Sequence, residues 1–125
     1  MARILLAEDQ ATLASLCARA LAGVGHEVTT ASDGSDALDL LVREQGHFDL
    51  LLTDIRMPIM DGIALAVTAA RDFPDLTILL MTGYADQRER AHGLDAVVHD
   101  VIPKPFTIAA LRQVVDEALA VKARH

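Results

Sequence analysis

Short apolar runs alternate along the chain with stretches in which apolar residues recur every three or four positions. An apolar run predicts a buried strand, and the recurrence predicts a helix with one face in the core. Strands are predicted at residues 3–7, 27–31, 49–54, 77–82 and 101–104, and helices at 13–24, 37–42, 63–70, 86–94 and 108–119. This alternation predicts an α/β fold with a doubly wound, five-stranded parallel sheet and five helices, of which 86–94 is only weakly amphipathic.

Residues at the ends of the predicted helices have side chains that helix termini favour. Gly23, Gly25 and Gly46 follow apolar stripes, and glycine readily takes the left-handed conformation at a helix end. Ser35 and Thr107 precede the second and the last helix, where a hydroxyl can cap the free backbone N–H groups. We therefore expect the glycines to end helices and the two hydroxyls to begin them.

The first helix is expected to bury an apolar stripe that includes the single cysteine of the chain. A free cysteine at such a position is usually a small core residue, and we do not expect a nucleophile here. The stripe consists of Leu13, Leu16, Cys17, Ala20, Leu21 and Val24.

Length and composition limit the class of protein. The 125 residues have the length of one domain, so residues 1–125 are predicted to form a single unit. No apolar run approaches the roughly 18 residues of a membrane span, and Glu8-Asp9 interrupts the first apolar run too early for a signal peptide. No membrane partner is expected. The lone Cys17 agrees with a cytoplasmic location.

The charged residues provide further exclusions. The net charge of −7 argues against direct binding of nucleic acid, which a basic face would indicate. The five histidines are scattered without the spacing of metal ligands. Neither a DNA-binding surface nor a histidine metal site is therefore expected.

Asp54 ends a predicted strand that contains the unbroken apolar run Leu50-Leu51-Leu52, and Pro58 and Gly62 then turn the backbone. An aspartate directly after a strand is often a turn or helix-cap residue. It can equally be a functional carboxylate held at the rim of the core. The surrounding strand ends have to decide between these interpretations.

Polar side chains follow four of the five predicted strands. Because parallel strands end at the same edge of a sheet, and ligands bind there where the strand order reverses, these side chains are expected to converge. With strand order 2-1-3-4-5, the first and third strands flank that reversal. The residues are Glu8, Asp9, Asp54, Thr82 and Lys104.

Three carboxylates in one place repel one another, and Lys104 offsets only one charge. Hard oxygen ligands at a partly open site favour Mg²⁺. A carboxylate beside a divalent cation, an ammonium and a hydroxyl can attack a phosphoryl group, so Asp54 is a candidate nucleophile that would form an acyl phosphate.

Two other kinds of site, a hydrolase active site and a nucleotide-binding site, fit the sequence less well. A metal-dependent hydrolase could use the same acids, but a general base other than the acids themselves is missing from the candidates. A nucleotide-binding site would need a glycine-rich loop after the first strand, where the chain has Glu8-Asp9-Gln10.

These residues, with the segments around them, resemble a response-regulator receiver domain over essentially the whole chain. The resemblance implies a flavodoxin-like, CheY-like fold and a switch that signals without being an enzyme in its own right. The matching segments are Glu8-Asp9, Asp54, Met57-Pro58, Met60-Asp61-Gly62, Thr82-Gly83 and Lys104-Pro105-Phe106.

The resemblance also implies a role for each site residue. Asp54 would accept a phosphoryl group from a histidine kinase or a histidine phosphotransfer protein. Asp9 and Asp54 would ligate Mg²⁺, with Glu8 acting mostly through water and Arg56 contributing its carbonyl oxygen. The other two residues act on the phosphoryl group, which Thr82 would bond and Lys104 would pair with, and a cis peptide is expected between Lys104 and Pro105.

The chain departs from the family at the switch. Many receivers have an aromatic residue where this chain has Val101, three positions before the lysine. Tyr84, two residues after Thr82, is our candidate for part of that role or for shielding the acyl phosphate; an exposed loop tyrosine is the alternative. Phosphorylation is expected to shift the face formed by the fourth helix, fifth strand and fifth helix toward one arrangement.

The expected output is contact with a downstream protein target. No output domain follows the last predicted helix, so we expect a stand-alone switch similar to the single-domain receivers of alphaproteobacterial cell-cycle control. The same segments also resemble receivers of nitrogen-regulation type. A phosphorelay intermediate, or the receiver module of a larger transcriptional regulator or hybrid kinase, stays open.

Overall fold

Five parallel strands form one sheet with the order β2-β1-β3-β4-β5, in a computed structural model that describes residues 2–83, 93–94 and 96–123. The α/β fold predicted from the sequence is thereby confirmed. The strands are β1 (Arg3–Ala7), β2 (Glu27–Ala31), β3 (Leu50–Asp54), β4 (Thr77–Thr82) and β5 (Asp100–Pro103). The helices within the described residues are α1 (Ala11–Ala22), α2 (Gly34–Arg43), α3 (Gly62–Asp72) and α4 (Ile108–Ala123).

Two apolar layers cover the faces of the sheet. Successive strand residues point to opposite faces, so Leu5 packs with α2 and α3, whereas Ile4 and Leu6 pack with α1 and α4. All five β3 residues are buried, as the unbroken apolar run at its start predicts for a strand with helices on both sides. The doubly wound arrangement follows from this two-sided burial.

Cys17 lies in the layer under α1 and is 1% exposed, which confirms its interpretation as a core residue. Burial and the nearby Glu8 carboxylate raise the pKa of the Cys17 thiol to about 11, against a smaller opposing effect of Lys104. A thiol with so high a pKa carries almost no thiolate at neutral pH and is a poor nucleophile.

Two details of α1 differ from the sequence prediction. Leu16 and Val24, assigned to the buried stripe, are 43% and 47% exposed, and Ala14 is buried instead. Gly23 keeps a right-handed conformation with φ −63°, and the left-handed residue is Gly25 with φ +97°. The buried face of α1 consists of Ala14, Cys17, Ala20 and Leu21, and Leu16 and Val24 lie outside it.

The predicted cap of α2 was wrong by two residues. Asp33 is the N-cap, and its carboxylate accepts a hydrogen bond of 2.8 Å from the backbone N–H of Asp36. Ser35 lies inside the first turn, since α2 already begins at Gly34. At α4 the prediction is confirmed, because the Thr107 hydroxyl accepts from the backbone N–H of Ala110 at 3.0 Å.

The helix predicted at 86–94 falls, apart from residues 93–94, outside the described part of the chain. Within the described residues, no helix combines the length and apolar character needed to cross a membrane.

Candidate functional site

The register of the sheet brings the polar strand ends together. Ala7, the last residue of β1, pairs with Thr53, so Glu8 and Asp54 follow side by side. Asp54 in turn pairs with Met81, which places Thr82 one position further along β4. Thr82 pairs with Pro103, and Lys104 comes next. The convergence expected at this edge is therefore present in the structure.

Three carboxylates cluster at the centre of this edge. Glu8 is 2% exposed and Asp54 5% exposed, whereas Asp9 is open to solvent. Each of the three offers an oxygen, and these oxygens lie within 4.8 Å of one another. Because the set contains only hard oxygen donors and one open side, it fits a hard divalent cation.

The Lys104 ammonium bridges two of these acids. Its Nζ lies 2.9 Å from Asp54 Oδ2 and 3.0 Å from Glu8 Oε1. Burial lowers the pKa of Lys104, but its hydrogen bonds to Asp54 and Glu8 outweigh that effect and hold the pKa above its usual value. Lys104 therefore remains charged in this position.

The pKa of Glu8 is also raised, which for a carboxyl group favours the neutral form. Burial raises the pKa of its carboxyl from 4.5 to about 7, and the nearby Asp54 charge adds to the rise, against the lowering effect of its hydrogen bonds with Lys104 and the Gln10 backbone. One ammonium neutralises only part of the negative charge of the three carboxylates, so Glu8 binds a proton more tightly than a free glutamate does.

Thr82 contributes a hydroxyl that has no hydrogen-bond partner within the described residues. Its Oγ1 is buried, and the whole residue is only 1% exposed. A buried hydroxyl without a partner costs free energy, so such groups usually meet a ligand or a water molecule. An incoming group with oxygen acceptors beside Asp54 would satisfy it.

The loop after β3 holds Asp54 in place. Its Oδ1 accepts a hydrogen bond of 2.9 Å from the backbone N–H of Ile55. A Cβ on Gly62 would lie 1.9 Å from the Asp54 carbonyl oxygen, so only glycine permits this close approach of α3 to the strand end. Asp61 caps α3 through a 2.9 Å hydrogen bond from the Ala64 N–H. The motif after Asp54 therefore fixes the backbone at the site.

A cavity of about 870 Å³ opens above Asp54, Asp9 and Lys104. Its floor is charged, but most of its remaining walls are apolar, which sequence reasoning missed. The apolar wall residues are Leu13, Leu16, Met57, Pro58, Pro105 and Phe106. The sequence pattern assigns Leu13 and Leu16 to the buried stripe of the first helix, so no local signal places them on a cavity wall.

Arg56, Val101 and Tyr84 were also predicted to belong to the site. Arg56 is exposed and lines the cavity, and the Lys104–Pro105 peptide is cis, as the resemblance implied. Val101 lies on β5, half-buried, packed against the layer of α2 and α3 and outside the cavity lining. Tyr84 lies outside the described residues, so its suggested role is not tested.

A sequence model of the response regulator receiver domain matches residues 4–116, and the chain belongs to this family. Receiver domains are phosphorylation-dependent signalling domains of two-component systems, where they interact with histidine kinases and downstream effectors.

Among individual relatives, the chain is 34% identical to the DNA-binding transcriptional regulator NtrC of Klebsiella pneumoniae, over 92% of this chain and 24% of NtrC. It spans less than half the length of the curated relatives it was compared with.

Two solved structures are also similar. A CheY-like receiver domain protein from Methanospirillum hungatei has 27% identity and a TM-score of 0.90, covering 99% of this chain and 98% of the other. The response regulator TrrA from Thermotoga maritima, solved in complex with Mg²⁺ and BeF, has 28% identity and a TM-score of 0.83, covering 94% and 99% of the two chains.

Proposed function

We propose that Asp54 accepts a phosphoryl group from a phosphohistidine on a histidine kinase or a histidine phosphotransfer protein. The observation that carries this proposal is the combination around one carboxylate. Asp54 lies at the floor of a cavity, with the Lys104 ammonium at 2.9 Å and, one register position away, the Thr82 hydroxyl, which has no hydrogen-bond partner among the described residues. Phosphoryl transfer needs such groups, because charge develops on the oxygens of the transferring group.

The proposed step exchanges one bond to phosphorus for another. An oxygen of the Asp54 carboxylate supplies the electron pair of the new O–P bond. The N–P bond of the donor phosphohistidine breaks, and its electron pair stays on the ring nitrogen of the departing imidazole. Lys104 pairs with the charge of the phosphoryl group, and the Thr82 hydroxyl donates a hydrogen bond to one of its oxygens.

The family implies Mg²⁺, and the residues present fit it. Glu8, Asp9 and Asp54 would hold the ion, with the main-chain carbonyl of Arg56 as a further ligand. When bound, Mg²⁺ neutralises charge on the acids and on the phosphoryl oxygens. The TrrA complex with Mg²⁺ and BeF supports this assignment by similarity.

The output is a change in the affinity for a downstream protein. Once Thr82 has bonded the phosphoryl group, its strand end is drawn toward Asp54, and the neighbouring β5, with Val101, is drawn with it. The proposed role of Tyr84 in this switch is part of the same hypothesis. The chain catalyses only its own phosphorylation and dephosphorylation, and is not an enzyme acting on other substrates.

We further propose that residues 1–125 work as one receiver unit in the cytoplasm, where a kinase draws on ATP. The relation to NtrC, a much longer protein, favours the receiver module of a transcriptional regulator as a second candidate. A stand-alone switch and a phosphorelay intermediate differ from it in the partner that follows, and all three use the same Asp54 chemistry.

Acetyl phosphate with Mg²⁺, followed by intact mass measurement, tests the proposal directly. The wild-type chain is expected to gain the mass of one phosphoryl group, and Asp54→Asn is expected to gain none. Asp75→Asn, which removes an exposed carboxylate outside the cluster, is the matched control and should be modified like wild type. Equal modification of the Asp54→Asn variant, or no modification of folded wild-type protein, contradicts the proposal.

A further inference from the structure

The loop of residues 55–61 joins β3 to α3, and Arg56 on this loop lines the cavity above Asp54. The loop is closed at its base, where the backbone N–H of Gly62 donates a 2.7 Å hydrogen bond to the Ile55 carbonyl oxygen. A loop closed in this way can still tilt about its base. A contact on its far side is therefore needed to fix the position of the residues between.

Such a contact is made with the first turn of α2. The carbonyl oxygen of Met60 accepts a 3.1 Å hydrogen bond from the backbone N–H of Gly34. Gly34 is the first residue of α2, so its N–H has no partner inside the helix and is available to the loop. The turn at Ile59, with φ +70°, directs Met60 inward, and its half-buried side chain packs against the layer of α2 and α3.

The contact leaves no room for a side chain at position 34. Alanine is more favourable than glycine in a helix, so a glycine at the start of α2 calls for a physical reason. A Cβ on Gly34 would overlap the Met60 carbonyl oxygen and would lie 2.9 Å from both Cβ and Cγ of Met60. Because the overlapped atom belongs to the backbone, the loop itself would have to shift. The missing side chain therefore determines how closely the loop lies against α2.

We propose that Gly34 is a positioning residue for the Mg²⁺ site and acts through the loop that it contacts. The inference rests on the proposed function, in which the main-chain carbonyl of Arg56 is a ligand of the ion. The carboxylates of Glu8, Asp9 and Asp54 stand at the ends of β1 and β3 and do not move with the loop. An alanine at position 34 would displace the Arg56 carbonyl relative to them, and Mg²⁺ demands nearly ideal ligand geometry.

Calorimetric titration of Gly34→Ala with Mg²⁺ tests the proposal, and urea unfolding in EDTA shows that the variant is folded. Its Kd for Mg²⁺ should be about tenfold higher than that of wild type, as is typical when a group that orients a metal ligand is changed. Gly46→Ala is the matched control, because Gly46 follows the other end of α2, has φ +71° and has no room for a Cβ beside the Phe73 ring. This control should lose stability and keep the wild-type Kd. A wild-type Kd in Gly34→Ala, or an equal rise in both variants, overturns the proposal.

A second measurement uses the wild-type chain and does not depend on the folding of a variant. Coupling between two sites is reciprocal, so Mg²⁺ should stabilise the contact between Gly34 and Met60. Amide hydrogen exchange at Gly34 should slow by about tenfold in Mg²⁺, beyond any change at Gly46, whose N–H donates to the Leu41 carbonyl oxygen at 2.7 Å. Equal slowing of the two amides contradicts the inference. Failure of the wild-type chain to bind Mg²⁺, or to react with acetyl phosphate, would instead refute the proposed function.

Discussion

At the amino-terminal edge of the sheet, Arg3 contacts a carbonyl oxygen, an aromatic ring and a carboxylate. At the carboxyl-terminal edge, Lys104 is the shared ion-pair partner of two buried acids. The Arg3 guanidinium donates to the His47 carbonyl oxygen at 2.6 Å, lies 4.7 Å from the centre of the Phe48 ring and 4.0 Å from a Glu27 oxygen. Its backbone N–H donates to Asp49 Oδ2 at 2.8 Å. One positive charge there meets a set of weak, mostly exposed partners.

At the carboxyl-terminal edge, two buried acids share a single positive charge. Glu8 and Asp54 are almost fully buried, and both depend on the same ammonium. The Thr82 hydroxyl beside them has no partner within the described residues. A site that is poorly satisfied without its ligand gains most when the ligand arrives. From this difference we expect the first edge to contribute mainly to stability and the second edge to contribute mainly to ligand binding.

The largest effect is expected from Lys104→Met. The substitution leaves two buried carboxylates without their shared ammonium, and breaking a buried pair in this way costs about 3 kcal/mol. Urea unfolding in EDTA measures the loss, and added Mg²⁺ should recover part of it by neutralising the acids. Arg71→Met is the control, because the Arg71–Asp72 pair is exposed and should contribute nothing measurable. Equal urea midpoints for the two variants would show that the Lys104 bridge contributes no more to stability than the exposed Arg71–Asp72 pair.

A smaller effect is expected from pH, through Glu8. Because burial raises the pKa of Glu8 from 4.5 to about 7, the metal-free folded chain holds a proton that the unfolded chain releases in this range. The stability contributed by this proton is fully present below the unfolded pKa of 4.5 and is lost as pH rises through about 7.

Urea midpoints in EDTA at pH values across this window measure the slope, which should be flatter in Glu8→Gln. Glu117→Gln, on an exposed position of α4, should keep the wild-type slope. Mg²⁺ affinity should rise with pH over the same window, since the ion competes with the proton. A slope in Glu8→Gln identical to that of wild type would assign the pH dependence to another group.

The smallest effect is expected at the other edge, from Arg3→Leu. Loss of the hydrogen bond to His47 and of the contact with the Phe48 ring should lower the free energy of unfolding by about 1 kcal/mol. The loss should be the same in EDTA and in Mg²⁺, and acetyl phosphate should modify the variant at the wild-type rate. Any dependence on Mg²⁺ would mean that the two edges are coupled.

Much of the fold could be predicted because its signals are local. The bounds of β1, β2 and β4 match the predicted ones, and those of β3 and β5 differ by one residue, because the apolar runs stop at charged or turn-forming residues. Asp54 became a candidate from local signals, at the end of a strand that begins with an unbroken apolar run, and the polar ends of the other strands favoured a functional role for it. The cap of α2 could not be decided in this way, since Asp33 and Ser35 are both good cap residues and the start of α2 is set by Gly34, which contacts the Met60 loop.

By itself the sequence determined the five strands and the four helices of the described residues, and which polar residues stand at the strand ends. Burial and pairing depend on contacts between distant segments, and these were decided only by the tertiary structure. Leu16 is exposed on the cavity wall, whereas Ala14 and Cys17 of the same helix are buried. Lys104 bridges Glu8 and Asp54 across 96 and 50 positions of the chain, because the parallel register sets their strand ends side by side.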